Sequence, residues 1–243
     1  MITKIEIATS DFITTKAAYE GGADRIELCA NLAEGGTTPS FGLIKKACET
    51  FGDAEIYAMI RPRGGDFLYN ADEYEIMLQD IKMAKDLGCD GVVFGLLNID
   101  GSIDVKRTSK LVQSAYPLGI TFHRAFDRCN QPFEALEQLI EIGCERILTS
   151  GQTPNATDSL DLLKQLNEQA GGRIIIMPGS GVNAANVKLV KEQTGCYEFH
   201  ASLRTKKESG MAFKHSNFIN DAGSYSNNFI NSNEVKRFKV AAS

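Results

Sequence analysis

Ionisable residues of the chain recur on one parity of short β-rich runs: Glu6, Glu27, Arg61, His123, Glu198 and His200. Side chains alternate along a strand, so parity sorts each run into two faces. In the first run Ile5 and Ile7 oppose Glu6 and Ala8; in the second Ile26 and Leu28 oppose Arg25, Glu27 and Cys29. Phe199 likewise opposes Glu198, His200 and Ser202, while Tyr57 and Met59 share a face with Arg61, and Thr121 with His123. Charge gathered on a buried face is costly unless the groups pair with one another or line a solvated pocket. An inward Glu–Arg network would explain any one of these residues; their convergence at strand ends favours a polar site.

Polar segments follow several runs and suggest what that site would do. RPRGGDF (61–67) sets Arg61 and Arg63 around a proline ahead of two glycines. Guanidinium forks there suit a carboxylate or phosphate, although the same spacing also allows an Arg63–Asp66 lock on the loop itself. HRAFD (123–127) puts His123 near Asp127, the pattern of a general acid or base held in one tautomer by a carboxylate. MPGSGVN (177–183) leads toward a helix expected near Asn183, and the amides of Gly179 and Gly181 would cradle an anion there. TSGQ (149–152) offers Ser150 and Gly151 for the same purpose, and His200 lies on the shared face. Taken together, Arg61, Arg63, Ser150, Gly151, Gly179, Gly181 and His200 are the candidate anion-binding set. His123 is the candidate acid or base, with Asp127 orienting it and Glu27 or Glu198 as its proton partner. Cys29 shares the Glu27 face, and a thiolate with imidazoles would suit Cu(I) or zinc, but a buried cysteine is more often a small hydrophobe.

Such residues must be held by regular elements. The runs are 5–8, 25–29, 56–61, 91–97, 120–125, 146–150, 173–178 and 198–202, separated by helical patterns such as 72–88 and 132–143. Gly88 and Gly143 end two of those helices, and Pro132 begins one. Strands alternating with helices at this rate predict a single-domain α/β protein, a (β/α)8 TIM barrel over 1–202, with its site at the C-terminal strand ends. An open doubly wound sheet is the competitor. Residues 203–243 break the rhythm and are expected to be an extension packed on the barrel or at a subunit contact.

The chain has 243 residues, 26 basic against 31 acidic, and a net charge of −5. Mild acidity without basic runs argues against nucleic acid, and no apolar stretch is long enough to suggest a membrane span. The six cysteines form no CxxC pair, and without a recognisable secretory leader they are expected to be reduced thiols in the cytoplasm.

The stretches GGADRIELCANLAEGGTTPS (21–40), MIRPRGGDFLY (59–69), DGVVFG (90–95), TFHRAFD (121–127), ERILTSGQ (145–152), GRIIIMPGSGVN (172–183) and EFHAS (198–202) resemble the CutC family in wording and order. The resemblance implies a cytoplasmic TIM-barrel protein that forms homo-oligomers, dimers or tetramers, and binds or handles copper. In that family a cysteine commonly follows the first-strand glutamate and is linked to copper together with the second-strand cysteine. Here that position is Ala8 while Cys29 remains, and Ser180 replaces a glycine of the family's PGGG turn. A linear two-thiolate Cu(I) site is therefore not expected within this chain. The readings kept open are Cu(I) at Cys29, with His123 or His200, and an enzyme for a small anionic metabolite; a scaffold working through its C-terminal extension is the weakest.

Overall fold

The computed structural model describes residues 2–218 and 223–243. Eight parallel strands, β1 (Lys4–Thr9), β2 (Arg25–Leu28), β3 (Glu55–Met59), β4 (Gly91–Phe94), β5 (Gly119–Phe122), β6 (Arg146–Thr149), β7 (Ile175–Pro178) and β8 (Glu198–Ala201), pair in the order β7-β6-β5-β4-β3-β2-β1-β8. β7 lies beside β8 without a paired ladder among the described residues, so the barrel is nearly closed. The expected eight-stranded α/β barrel is what forms.

Seven helices alternate with the strands: α1 (Phe12–Glu20), α2 (Phe41–Thr50), α3 (Ala71–Asp86), α4 (Val105–Ala115), α5 (Pro132–Ile142), α6 (Leu160–Ala170) and α7 (Val187–Thr194). Local chemistry sets their ends. Asp11 with Thr14, and Asn70 with Glu73, form reciprocal caps that satisfy the first free amides of α1 and α3. Gly143 closes α5 at φ +92°, a conformation that costs a glycine little. One boundary differs from expectation: α7 begins at Val187, not near Asn183, because Asn183 and Asn186 spend their side chains on turn hydrogen bonds.

Residues 203–243 are structured beyond what their polar composition suggested. After β8 an antiparallel hairpin, β9 (Arg204–Glu208) and β10 (Ser226–Ile230), leads into α8 (Ser232–Ala242). The short basic stretch EVKRFKV lies within α8, whose Val235, Phe238 and Ala242 are fully buried. That helix packs against α7, α1 and β1 and so completes the outer ring. Gly21 at the end of α1 leaves room for it, since a Cβ there would come within 2.4 Å of Val235 Cβ.

Parity sorts the two faces as the sequence implied. Ile5, Ile7, Ile26, Leu28, Ile56 and Phe199 join the large core between sheet and helices, whereas Cys29, Tyr57, Met59 and Val93 form a separate small cluster inside the barrel. Beneath that cluster the interior is ionic. Arg25 donates to Glu198 at 2.9 Å, to Glu6 at 3.3 Å and to Glu55 at 2.9 Å, and Arg146 donates to Glu198 at 2.6 Å. Both guanidiniums lie over the Tyr57 ring. Gly91 and Gly119 make space for Tyr57, because a Cβ at Gly91 would fall 2.3 Å from its ring and one at Gly119 2.0 Å from its hydroxyl.

Candidate functional site

At the C-terminal strand ends the barrel opens into a cavity of 510 Å³. Its walls include Glu27, Arg61, His123 and His200, with Arg124, Arg128 and Arg204 also facing it. Cys29, Arg61 and His123 lie just past their strands, yet backbone bonds such as Cys29 N–H to Thr9 and His123 N–H to Phe94, each 2.9 Å, continue the ladder. The inward parity therefore persists beyond the strand ends.

Arg61 is 3% exposed and donates to the carbonyls of Glu34 (2.7 Å), Gly36 (2.9 Å) and Gly65 (2.7 Å). These contacts fix the guanidinium without neutralising it. Arg128 and Arg204 have no carboxylate partner within ion-pair distance among the described residues, whereas Arg124 is paired with Asp127 at 2.7 Å. Three uncompensated cations thus face one cavity.

His123 accepts from the Ala125 amide at Nδ1, 3.2 Å away, which assigns the proton of the neutral ring to Nε2. Nε2 is buried with no partner among the described residues. Burial and the nearby Arg61 charge drive the His123 pKa down to about 3, so the ring is a neutral N–H donor at physiological pH. Glu27 Oε1 is likewise buried and unpartnered, and burial raises the Glu27 pKa to about 7. Its other oxygen accepts from the Cys29 thiol at 3.4 Å and lies 3.9 Å from His200 Nε2. His200 Nδ1 sits 2.7 Å from Glu6 Oε1. Burial opposes charge on both members, but His200 and the arginines hold Glu6 down to about 2, while Glu27 and Glu6 raise His200.

Other sequence-derived candidates lie elsewhere. Asp127 does not reach His123: its carboxylate accepts from the Thr149 hydroxyl (2.5 Å), the Ser150 amide (3.0 Å) and the Gln152 amide (3.2 Å), tying down the loop after β6. Ser150 is spent on that carboxylate, and the Gly151 amide on Thr149 Oγ1 at 2.9 Å. Glu198 belongs to the ionic floor. Arg63 turns to Glu73 at 2.5 Å and Asp66 at 3.0 Å, the loop lock that its spacing also allowed. Gly179 donates to Thr149 O at 3.0 Å, leaving Gly181, at φ +75°, as the glycine of that turn on the cavity wall. Arg128 and Arg204 were missed. Arg128 ends a short 3-10 turn after β5 (Phe126–Arg128) and Arg204 opens the polar extension; only their charge signalled a role.

Two metal arrangements can be weighed against these contacts. Glu6, Glu27 and His200 have ligand atoms within 4.8 Å of one another. Glu6, however, already serves His200 Nδ1 and Arg25, so a cation would find only Glu27 and His200 Nε2 without displacing a bond. Cu(I) fits no better. Burial, with Glu27 beside it, pushes the Cys29 thiol well above its usual range, and Ala8 supplies no second sulfur.

Fold and site together define a TIM-barrel protein with a cationic mouth and an acid- and imidazole-bearing interior at the end where barrels of this class place their sites. The CutC family model matches residues 3–205, and the chain belongs to that family. A CutC family protein of Bacteroides fragilis is 50% identical over 209 residues, 86% of this chain and 83% of its own. The human copper homeostasis protein cutC homolog is 47% identical over 212 residues, 87% of this chain and 77% of its own. The solved CutC structure from Streptococcus agalactiae superposes with a TM-score of 0.79 at 34% identity, covering 83% of this chain and 99% of that one. An aldolase, QR15, shares the fold at 16% identity with a TM-score of 0.62, covering 81% of this chain and 89% of its own. The family takes its name from copper homeostasis. Among the described residues no helix is long and apolar enough to cross a membrane.

Proposed function

We propose that the cavity binds a small anionic metabolite bearing a phosphate or carboxylate group and performs proton-transfer chemistry on it. The observation that carries this reading is the charge around the opening: Arg61, Arg128 and Arg204 face one cavity without carboxylate partners among the described residues. A bound dianion would neutralise them in a partly desolvated setting, where charge-assisted bonds are strongest. Glu27, with a free oxygen in the same cavity and a pKa near physiological pH, suits the proton acceptor or donor. His123, held neutral, suits a hydrogen-bond donor better than the base its sequence context suggested.

Titration calorimetry with inorganic phosphate and with 2-phosphoglycolate tests the reading. Each of Arg128→Ala and Arg204→Ala should weaken binding on the order of tenfold, more at low salt than at high salt, whereas Arg63→Ala should leave it unchanged. Absence of binding by either anion would overturn it. The copper reading has its own test, anaerobic Cu(I) competition against a chelator, and an affinity lost in Cys29→Ala would put copper in place of the anion. We place the protein in the cytosol as a homo-oligomer, in line with its family. The free state of all six cysteines supports a reducing compartment; Cys48 and Cys89 remain thiols with their sulfurs 3.8 Å apart.

A further inference from the structure

We infer that the ligand of this cavity is a carbonyl compound, an anionic α-hydroxy aldehyde or ketone, and that Glu27 and His123 act on it together as an enolising pair. The inference rests on the anion-binding reading above and adds the part of the substrate that the arginines do not read.

It begins with a tautomer. The Ala125 amide donates to His123 Nδ1, so the ring presents Nε2–H, and that group has no acceptor among the described residues. A buried, unpaired donor is costly to the fold, and an acceptor on a ligand would recover that cost. A neutral N–H donor suits a carbonyl oxygen, which needs polarising without a proton being given up. Phe67 packs its ring 4.9 Å from the imidazole and the ring fills the space beside Gly95, so the donor is fixed in direction. Glu27 supplies the complementary group in the same cavity, a carboxyl oxygen that is buried and equally unpartnered. A fixed neutral donor together with a free carboxylate is the requirement for removing a proton next to a carbonyl.

The step balances within the chain. The Cα–H bond of the substrate breaks and its proton passes to Glu27 Oε1. Its electron pair forms the C=C bond of an enediolate, and the carbonyl π pair moves onto oxygen, whose negative charge accepts from His123 Nε2–H. Return of the proton from Glu27 to the same carbon restores the substrate; its return to the neighbouring carbon delivers the isomer once the hydroxyl proton of the enediolate has passed to the other oxygen by way of His123 Nε2. No redox partner is needed.

Two probes separate this inference from the reading beneath it: dihydroxyacetone phosphate, which has the carbonyl, and glycerol 3-phosphate, which lacks it. In D2O the wild-type protein should exchange the α-protons of dihydroxyacetone phosphate, followed by proton NMR. Glu27→Gln and His123→Phe, which keeps an aromatic ring without the donor, should each slow exchange on the order of 100-fold. His123→Gln, which restores an N–H donor, should recover part of the rate, and glycerol 3-phosphate should bind the wild-type protein with no exchange at its carbons. Equal binding of both probes with no exchange would overturn the enolising pair and leave the anion site standing. Binding of neither would overturn both.

Discussion

His200 Nδ1 and Glu6 Oε1 lie 2.7 Å apart on adjacent paired strands, and this contact joins the cavity to the ionic floor beneath it. Glu6 also receives Arg25 from below, while His200 faces Glu27 above. The Glu6 pKa is held down to about 2 from 4.5, so its contribution to stability is full above pH 4.5 and is lost as pH falls toward 2. His200 has the opposite sign: its raised pKa stabilises the fold below its ordinary value of 6.5 and fades as pH climbs through the raised one. Glu6→Gln should cost on the order of 3 kcal/mol at pH 6, a difference that shrinks on acidification below pH 4.5 in urea denaturation curves.

Glu27 should behave in reverse. Burial raises its pKa to about 7, so the folded state holds a proton more tightly than the unfolded chain, and stability declines as pH rises from 4.5 to 7. Groups facing it are Cys29, Glu6 and His200, and the imidazolium of His200 offsets part of the penalty. Glu27→Gln should therefore be more stable than wild type at pH 8 by on the order of 1–3 kcal/mol and no more stable at pH 4. Thermal melts across that range give the comparison; a gain that grows on acidification would contradict it.

Glu198 serves the fold. It is the shared acceptor of Arg25 and Arg146, and it lies outside the residues that line the cavity. Glu198→Ala would strand the buried Arg146 guanidinium and take one of three carboxylates from Arg25, and should destabilise by about 3–5 kcal/mol. Where the variant remains folded, its affinity for 2-phosphoglycolate should match that of wild type, and a selective loss of binding would move Glu198 into the site.

The last helix should be indispensable. Phe238 is fully buried on α8, and its removal leaves a cavity against the barrel, so Phe238→Ala should cost about 3–5 kcal/mol. Ending the chain at Leu203 uncovers the apolar surface of α1, α7 and β1 and should abolish a cooperative melt followed by circular dichroism.

Much of this arrangement was legible in the sequence because a strand's two-residue period is rigid. Glu6, Glu27, Arg61, His123 and His200 fell on the inward face by parity alone, and each lies there. Parity has no authority in loops. Asp127 stands four residues from His123 in sequence, but the turn after β5 aims its carboxylate at the Thr149 hydroxyl and the Ser150 amide. Arg63 is two residues from Arg61, yet a Pro-Gly-Gly loop sends the two guanidiniums to different partners. The tail was obscured for another reason. Val235, Phe238 and Ala242 are spaced for one helical face, but in a short polar segment three residues give a weak period, and only the groove between α1 and α7 makes them a core.

The hairpin between β8 and α8 brings Arg204 to the rim of the cavity, while Glu6, Arg25 and Glu198 hold the barrel from the opposite layer. Among the described residues its two strands pair with each other and with no strand of the barrel. Of the three unpaired arginines on the cavity, Arg204 alone comes from outside the eight strand–helix units, so one side of the mouth is set by a segment that the barrel sheet does not contain. Changes confined to Arg204 and its neighbours on β9 therefore alter the charge at the rim and leave Arg61, Arg128 and the ionic floor in place.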